Sequence, residues 1–247
     1  ISLKLEAGQI GVLIGPSGCG KTSLLRAIAG LEPVAAGEIQ LSDRVVSRLG
    51  FSAAPENRRM GMVFQDYALF PHLTVAGNIA FGLHGQSSAF KLARISEVLQ
   101  LVGLADVQDR YPHELSGGQQ QRATIARTLV QGAKLVLADE PIASLDPESS
   151  RKVMEILSTI QREDGRTVVV SLHQVDMAIR YCPRVIALNQ GQVVYDGPSA
   201  KLTPELLRQL YGMQADEFLS GSELLTSPPA HHPAPALAWS TSMAQAA

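Results

Sequence analysis

Short, almost continuously apolar runs recur along this chain and alternate with longer stretches in which apolar residues follow helical spacing. The runs cover residues 10–14, 60–64, 135–138 and 167–172. Continuous apolar runs of this length are typical of strands that are buried on both faces, as in a parallel sheet packed between helices. Strands that alternate with helices therefore predict an α/β fold with a mainly parallel sheet.

Apolar residues recur every three or four positions in two segments, 73–83 and 90–102, which is typical of amphipathic helices. We interpret them as part of a small helical subdomain at about 70–130. Further helices are predicted at 22–29, 120–130 and 147–160.

The remaining strand signals predict the edges of the sheet. Residues 184–188 and 192–195 are strand-like and flank a hairpin signal at 189–191, which predicts antiparallel strands at one edge. Residues 37–41 form another predicted strand, and the polar segment 42–59 that follows is predicted to be a loop.

The two ends of the chain differ from its middle. Residues 1–6 alternate apolar and polar, which predicts a half-buried strand and indicates that neighbouring N-terminal strands are missing. From residue 220 onward Pro, Ala, Ser and His predominate, so 220–247 is predicted to be a disordered tail. Residues 1–219 are predicted to form one domain.

Composition limits the function. The 247 residues include 45% hydrophobic and 18% charged residues, and the net charge is −2, which gives no positive field for non-specific nucleic-acid binding. No apolar run approaches the ~18 residues of a membrane span, and no secretory leader is evident, so we expect a soluble protein. One of the two cysteines, Cys19, lies in the motif described next, where a disulfide would obstruct a ligand, so we expect a reducing compartment.

A glycine-rich motif at 15–22, Gly-Pro-Ser-Gly-Cys-Gly-Lys-Thr, is the strongest chemical signal, and we call it the phosphate loop. It fits G-x-x-x-x-G-K-[ST], follows an apolar strand and opens a helix, which is the context of a loop that wraps the phosphates of a nucleoside triphosphate. Its glycines let backbone N–H groups converge on an anion, and the helix N-terminus adds partial positive charge. Lys21 is predicted to reach the β- and γ-phosphates, and the Thr22 hydroxyl to bind Mg²⁺.

Two further patterns fit phosphate chemistry. Asp139 and Glu140 follow the apolar run 135–138, at a strand end where an Asp suits a Mg²⁺ ligand and a neighbouring Glu can polarise water. The segment Leu-Ser-Gly-Gly-Gln at 115–119 opens a predicted helix, so it is either a second anion site or a serine-capped helix start with no ligand.

The phosphate loop and the segment 115–119 together resemble the motifs of the ATP-binding cassette (ABC) family, and the resemblance covers residues 1 to about 212. It implies a P-loop NTPase core of the ABC type, with a mainly parallel sheet, antiparallel edge strands and a small helical subdomain. In this family each ATP is sandwiched between the phosphate loop of one chain and the segment 115–119, the signature segment, of a second chain. The implied activity is ATP hydrolysis to ADP and phosphate, coupled to transport across a membrane.

The resemblance also implies roles for single residues that would otherwise carry little meaning. Gln65 matches the family's Q-loop, which senses Mg²⁺ and water, His173 matches the switch histidine that holds the γ-phosphate, and Asp146 matches the D-loop between the two sites. The implied catalytic residues are Glu140, His173, Lys21 and Gln65. The implied metal ligands are Thr22, Gln65 and Asp139. The implied nucleotide-binding residues are Gly15, Pro16, Ser17, Gly18, Cys19, Gly20, Lys21, Thr22, Ser23, Ser116, Gly117, Gly118, Gln119 and Asp146.

The two halves of the chain resemble different importer subfamilies. The segments 58–65 and 68–75 are similar to ferric-iron and polyamine importer ATPases, whereas 138–149 and 171–176 are similar to phosphonate importer ATPases. The insertion that phosphonate members carry before the signature segment is absent. In this family the permease docks on the region from Gln65 through the helical subdomain. Because this region resembles the iron importers, we expect a ferric-type permease, with phosphonate as the alternative solute.

The implied partners are a second cassette in a homodimer, transmembrane permease subunits and, indirectly, a solute-binding protein, without direct contact to nucleic acid. The implied location is peripheral, at the cytoplasmic face of the inner or plasma membrane. The family's adenine-stacking aromatic residue would lie upstream of residue 1. The sequence therefore predicts weak ATP affinity, because base stacking worth ~1–3 kcal/mol, by analogy with other base–aromatic contacts, is missing.

Two other functions stay open at this point. ABC-type ATPases that act on DNA or ribosomes carry a long coiled coil between loop and signature, or two cassettes in tandem, and this chain shows neither sustained heptads at 22–115 nor a second cassette. The other alternative is a catalytically impaired remnant that still docks on a permease, which the abrupt start and the unusual tail suggest.

Overall fold

The computed structural model describes residues 1–83 and 85–212, so the predicted tail at 220–247 lies outside the described residues. The strands in chain order are β1 (Ile10–Ile14), β2 (Glu38–Leu41), β3 (Arg44–Arg48), β4 (Phe51–Ser52), β5 (Met60–Val63), β6 (Leu135–Asp139), β7 (Thr167–Ser171), β8 (Arg184–Asn189) and β9 (Gln192–Pro198). The helices are α1 (Lys21–Ala29), α2 (Val75–Ala80), α3 (Ser88–Leu101), α4 (Gly117–Val130), α5 (Pro147–Asp164), α6 (Val175–Tyr181) and α7 (Pro204–Tyr211).

The main sheet has six strands in the order β5-β6-β7-β1-β8-β9. Every neighbouring pair from β5 to β8 is parallel, and β9 runs antiparallel to β8 at one edge. The predicted α/β fold with a mainly parallel sheet and an antiparallel edge is therefore confirmed. Because parallel strands end at the same edge of a sheet, the loops after β1, β6 and β7 open side by side.

Helices cover both faces of this sheet, which explains why all five residues of β1 are buried. Leu13 faces one side, where it shares a buried cluster with Leu25 of α1 and Leu137 of β6. Val12 and Ile14 face the other side and belong to the larger cluster to which α4, α5 and α6 contribute. The alternation of neighbouring residues between two cores fixes β1, and the loop that follows it, between two packed layers.

Helices α2, α3 and α4 pack against one another in the region where we expect a helical subdomain. Each begins at a side-chain cap: the hydroxyls of Thr74, Ser87 and Ser116 accept backbone N–H groups of the first turn. The helix predictions in this region are right in position, and the division of the chain into domains stays a prediction.

The prediction of a loop at 42–59 is wrong. This segment contains β3 and β4, which join β2 in a separate three-stranded antiparallel sheet. The strands are short and mostly exposed, and Val46 and Ser47 are their buried residues. Too few apolar positions alternate here for a strand signal to stand out from the polar background.

Two other expectations about local structure differ from the fold. Residues 1–6 are not in a strand; Leu3 and Leu5 are half-buried, and the Leu5 side chain lies over Gly11 of β1, so the alternation marks an extended chain without ladder hydrogen bonds. Helices α6 and α7 were not predicted, because each is short enough for its apolar spacing to be ambiguous.

No helix within 1–83 and 85–212 is at once long enough and apolar enough to cross a membrane.

Arg58 joins the small antiparallel sheet to α1. Its guanidinium is buried and donates to the carbonyl oxygens of Ala27 and Ile28, at the C-terminal end of α1. It also donates to further carbonyl and hydroxyl oxygens of β3, β4 and the segment after β4: Val46 O, Ala53 O, Ser47 Oγ and Ser52 Oγ. A cation at the carboxyl end of a helix is also favoured by the helix dipole.

We expect Arg58→Ala to lower the free energy of unfolding by about 2–4 kcal/mol, because it leaves several buried acceptors without a donor. Denaturant unfolding followed by circular dichroism measures the change. Arg59→Ala is the matched control, since Arg59 is exposed, and it should change stability by less than about 1 kcal/mol. Equal stability of the two variants would contradict the role given to Arg58.

Candidate active site

The phosphate loop leaves the buried strand β1 and enters α1 at the sheet edge where the parallel strands end. Gly15 has φ +146°, and a Cβ at this position would lie 2.1 Å from the carbonyl oxygen of Leu188, so glycine is required here. The loop is also held by the turn between β8 and β9, where the N–H of Gly191 donates to the Cys19 carbonyl at 3.1 Å. The loop is thus a fixed structure rather than a flexible glycine-rich turn.

Lys21 lies inside the loop, with only 5% of its surface exposed. Its Nζ donates to the carbonyl oxygens of Gly15 at 2.8 Å and Pro16 at 3.3 Å. A third, longer contact joins Nζ to Cys19 Sγ at 3.9 Å. Because a thiol sulfur is a weak acceptor, the third ammonium proton can be given to a stronger one, and the two carbonyl contacts aim the amine. Lys21 is therefore placed to add a bond to an anion held by the loop.

Asp139, at the end of β6, is bound by hydroxyl groups. Its Oδ1 accepts from Thr22 Oγ1 at 3.0 Å and from Ser171 Oγ at 2.8 Å, and the residue is 5% exposed. Thr22 and Asp139 thereby present neighbouring oxygen atoms next to Lys21. Oxygen ligands of this kind, few in number and completed by water and phosphate, are those that Mg²⁺ prefers.

Glu140 and His173 form the next pair along the same edge. His173 Nε2 and Glu140 Oε1 lie 2.5 Å apart, and the two side chains are 36% and 16% exposed. Glu140 has φ +46°, a left-handed conformation unusual for this residue type. Its N–H donates to Ser171 Oγ at 2.9 Å, so a hydrogen bond holds the backbone that aims the carboxylate.

These side chains surround one cavity of about 290 Å³. It is lined by Ser17, Gly18, Gly20, Lys21, Thr22, Ser23, Glu140 and His173. Backbone N–H groups at a helix N-terminus, a buried amine and a carboxylate–imidazole pair thus face one space. This arrangement can bind a polyphosphate and position a water molecule next to it.

The remaining predicted nucleotide-binding residues lie elsewhere. Gly15, Pro16 and Cys19 belong to the phosphate loop but do not line the cavity. Within the described residues, the signature segment does not line the cavity. Ser116 and Gln119 bond to each other across the start of α4 as a reciprocal cap, and Ser116 is exposed.

Gln65 and Asp146 also lie outside the cavity lining. Gln65 is exposed directly after β5 and precedes Tyr67 and Ala68, which both have positive φ. Asp146 caps α5, because its Oδ1 accepts the N–H groups of Glu148 and Ser149. Hydrogen bonds from the side chain of Ser149 and, to a smaller extent, from its backbone lower the pKa of Asp146. The roles predicted for Gln65 and Asp146 stay predictions.

Ser171 is a residue that the sequence analysis did not assign to the site. It lies opposite Asp139 in the register of β7 on β6, is fully buried, and bonds both Asp139 and Glu140. A signal was present, because a serine interrupts the apolar run at 167–172 one strand away from Asp139. Its meaning depends on strand pairing, which the sequence alone did not reveal.

Both cysteines are buried free thiols. Cys182 directly follows α6 and does not line the cavity, and burial raises the pKa of its thiol to about 12. It is therefore unreactive at neutral pH.

Comparison with known proteins identifies relatives of this arrangement. A family described as ABC transporter matches residues 1–143. The phosphonates import ATP-binding protein PhnC of Cupriavidus pinatubonensis is 48% identical over 253 aligned positions, which cover 96% of this chain and 89% of the relative. PhnC of Stutzerimonas stutzeri is 46% identical, covering 90% of this chain and 87% of the relative.

Similar structures are also known. The dimeric ATP-binding cassette MJ0796, in a post-hydrolysis state bound to ADP and Pi, is 33% identical with a TM-score of 0.71, covering 80% of this chain and 88% of that one. The cbiO1 protein of Clostridium perfringens, part of the ABC transporter complex cbiONQ, is 25% identical with a TM-score of 0.75, covering 90% and 91% of the two chains.

We expect Ser171→Ala to lower the free energy of unfolding by about 1–3 kcal/mol, because it removes an acceptor from the Glu140 N–H and a donor from Asp139. Urea unfolding measures the change. Ser150→Ala is the matched control: Ser150 is also buried, but its hydroxyl makes only a long 3.5 Å contact with the Leu145 carbonyl. If both variants lose the same stability, Ser171 does not hold the site together as described.

Proposed function

The chain belongs to the ABC transporter family, and we propose that it is the ATP-binding and ATP-hydrolysing subunit that powers solute import by such a transporter. The observation that carries the proposal is the convergence of the phosphate loop, Asp139, Glu140 and His173 on one edge of the sheet. Each group supplies a part that phosphoryl transfer needs, which is positioning and charge neutralisation rather than covalent chemistry.

ATP is bound mainly through its phosphates. The N–H groups of the phosphate loop and of the first turn of α1 bind the phosphate oxygens, and Lys21 adds a positive charge from within the loop. The weak adenine binding expected from the sequence stays a prediction.

Mg²⁺ fits the oxygen atoms at this site. Thr22 and Asp139 would hold it, Asp139 through water, and Gln65 is the further ligand that the family resemblance implies. Among the described residues no cluster of three His, Cys, Asp or Glu side chains could hold a metal ion by itself. When bound, the ion supplies positive charge to the phosphate oxygens.

Hydrolysis requires a water molecule aligned with the γ-phosphate. Glu140 is the residue that we assign to polarise this water, and His173, paired with it at 2.5 Å, is assigned to hold the γ-phosphate. Ser171 fixes the Glu140 backbone, so the direction of the carboxylate is set before ATP binds. General-base assistance of this kind contributes typically about 10²–10⁴-fold in rate.

A second copy of the chain completes the site. The signature segment presents the N-terminus of α4 at an exposed serine, outside the cavity of its own chain. We propose a homodimer in which this helix start binds the γ-phosphate held by the partner, consistent with the dimeric state of MJ0796. Asp146, at the start of α5, would lie near this interface.

The relatives support a proposal for the permease partner and the solute. PhnC proteins are phosphonate import proteins, and their similarity to this chain extends over both halves, so we propose phosphonate as the solute. A ferric-type permease, suggested by segments 58–65 and 68–75, gains no support from these relatives and is the alternative. A solute-binding protein would deliver the solute to the permease, and the chain would work as a peripheral subunit on the cytoplasmic face.

We expect Glu140→Gln to reduce the ATPase rate by at least about 100-fold while ATP binding and ATP-dependent dimerisation persist, because only activation of water is lost. Phosphate release and size-exclusion chromatography with ATP measure the two properties. Glu97→Gln is the matched control: Glu97 is a half-buried carboxylate of α3 that pairs with Arg94 at 2.6 Å, and its loss should keep the wild-type rate.

The same experiment tests the competing interpretations. Equal background rates for wild type and Glu140→Gln would leave the impaired remnant as the better description. Lys21→Ala should lose nucleotide binding, and wild-type affinity in this variant would refute the assignment of the loop.

The solute is tested by capturing the tagged chain from detergent-solubilised membranes of its host with ATP present. We expect a permease to co-purify, and ATP hydrolysis by the complex to rise with a solute-binding protein loaded with an alkylphosphonate. Stimulation by ferric iron instead would favour the alternative permease. Capture of ribosomes or DNA would overturn the importer proposal.

A further inference from the structure

Tyr211, the last residue of α7, reaches the first residue of the phosphate loop. Its hydroxyl oxygen accepts the N–H of Gly15 at 2.9 Å, and the residue is only 8% exposed. Burial raises the pKa of Tyr211 to about 12, so the hydroxyl is neutral at physiological pH. The contact joins residues 196 positions apart in the sequence.

Gly15 is the residue at which the loop is most tightly enclosed. Its backbone lies so close to the Leu188 carbonyl and Cys19 Sγ that a Cβ would come within 2.1 Å and 2.8 Å of them. Its N–H points to Tyr211, and its carbonyl accepts the Lys21 amine at 2.8 Å. One residue therefore links the Tyr211 hydroxyl to the lysine of the loop.

The other anchors of the loop act at different atoms. Gly191 binds the carbonyl of Cys19, and the Cys19 N–H binds the carbonyl of Pro16. Neither contact involves the Gly15 N–H, and the pairing of β1 with β8 ends one residue earlier, at Ile14 and Ala187. Without the Tyr211 hydroxyl, the buried Gly15 N–H would lose its acceptor. An unpaired buried N–H is costly, so rotation of the Ile14–Gly15 peptide towards water would become favourable.

We propose that Tyr211 is a positioning residue for ATP: through Gly15 it sets the place of the Lys21 amine and the start of the phosphate-binding backbone. Tyr211 does not line the cavity, so it acts on the nucleotide only through the loop. The inference rests on the proposed nucleotide function. Helix α7 would thus contribute to nucleotide binding, although none of the family motifs in the sequence lies in this helix.

The test is Tyr211→Phe, which keeps the ring and removes the hydroxyl. We expect the dissociation constant of a fluorescent ATP analogue and the KM for ATP each to rise about tenfold, as for loss of one hydrogen bond to a buried group. The kcat should change less than about twofold, because Glu140 and His173 lie after other strands, β6 and β7. A merely structural role would lower the active fraction, and hence kcat, and leave KM unchanged. Tyr195→Phe is the matched control: it also removes a hydroxyl hydrogen bond, to the Pro198 carbonyl at 2.7 Å, in β9.

The possible outcomes distinguish a failure of the role given to Tyr211 from a failure of the proposed nucleotide function. If wild type fails to bind the ATP analogue, the proposed function is wrong. If wild type binds and Tyr211→Phe binds equally well, the role of Tyr211 is wrong. Should the variant not fold, hydrogen exchange of the Gly15 amide in the wild-type protein decides: we expect protection over minutes or longer, and exchange within seconds would overturn the proposal.

Discussion

The geometry of the whole site depends on one buried carboxylate oxygen. Oδ1 of Asp139 accepts hydroxyl protons from Thr22 at the start of α1 and from Ser171 at the end of β7. Burial of a carboxylate is costly unless hydrogen bonds replace its water, so Asp139 is stable only when both neighbouring elements are in place. The same contacts fix the phosphate loop, the Glu140 backbone and the end of β7 relative to one another. They also leave the negative charge of Asp139 for a cation to neutralise.

The sequence was sufficient for the parts of the molecule whose signals are local. The phosphate loop, the Asp139–Glu140 pair and the buried parallel strands were all evident, because glycine spacing and continuous apolar runs need no knowledge of tertiary structure. The signature segment was also evident, as a capped helix start. These signals sufficed for the fold and for most of the residues that surround the cavity. His173 carries no local signal of its own and was assigned only through the resemblance to the ABC family.

What the sequence did not reveal depends on long-range contacts. The strands β3 and β4 bury little apolar surface and are held by Arg58, whose acceptors come from α1 as well as from the strands themselves. Ser171 gains its role only from the pairing of β7 with β6. The Leu3 and Leu5 alternation looked like a strand because period-two burial is shared by any extended chain lying on a surface. In each case the local sequence pattern is the same whether or not the segment has its long-range partner, so the pattern alone could not reveal the contact.

The contact between Tyr211 and Gly15 has a consequence for how the protein is made. Gly15 emerges from the ribosome 196 residues before Tyr211, and domains generally acquire their structure as synthesis proceeds. Until α7 has emerged, the nascent loop lacks the acceptor for its first N–H group. The nucleotide-binding loop is therefore completed by the last helix of the described residues to be translated, and a chain synthesised only as far as β9 carries the motif without this support.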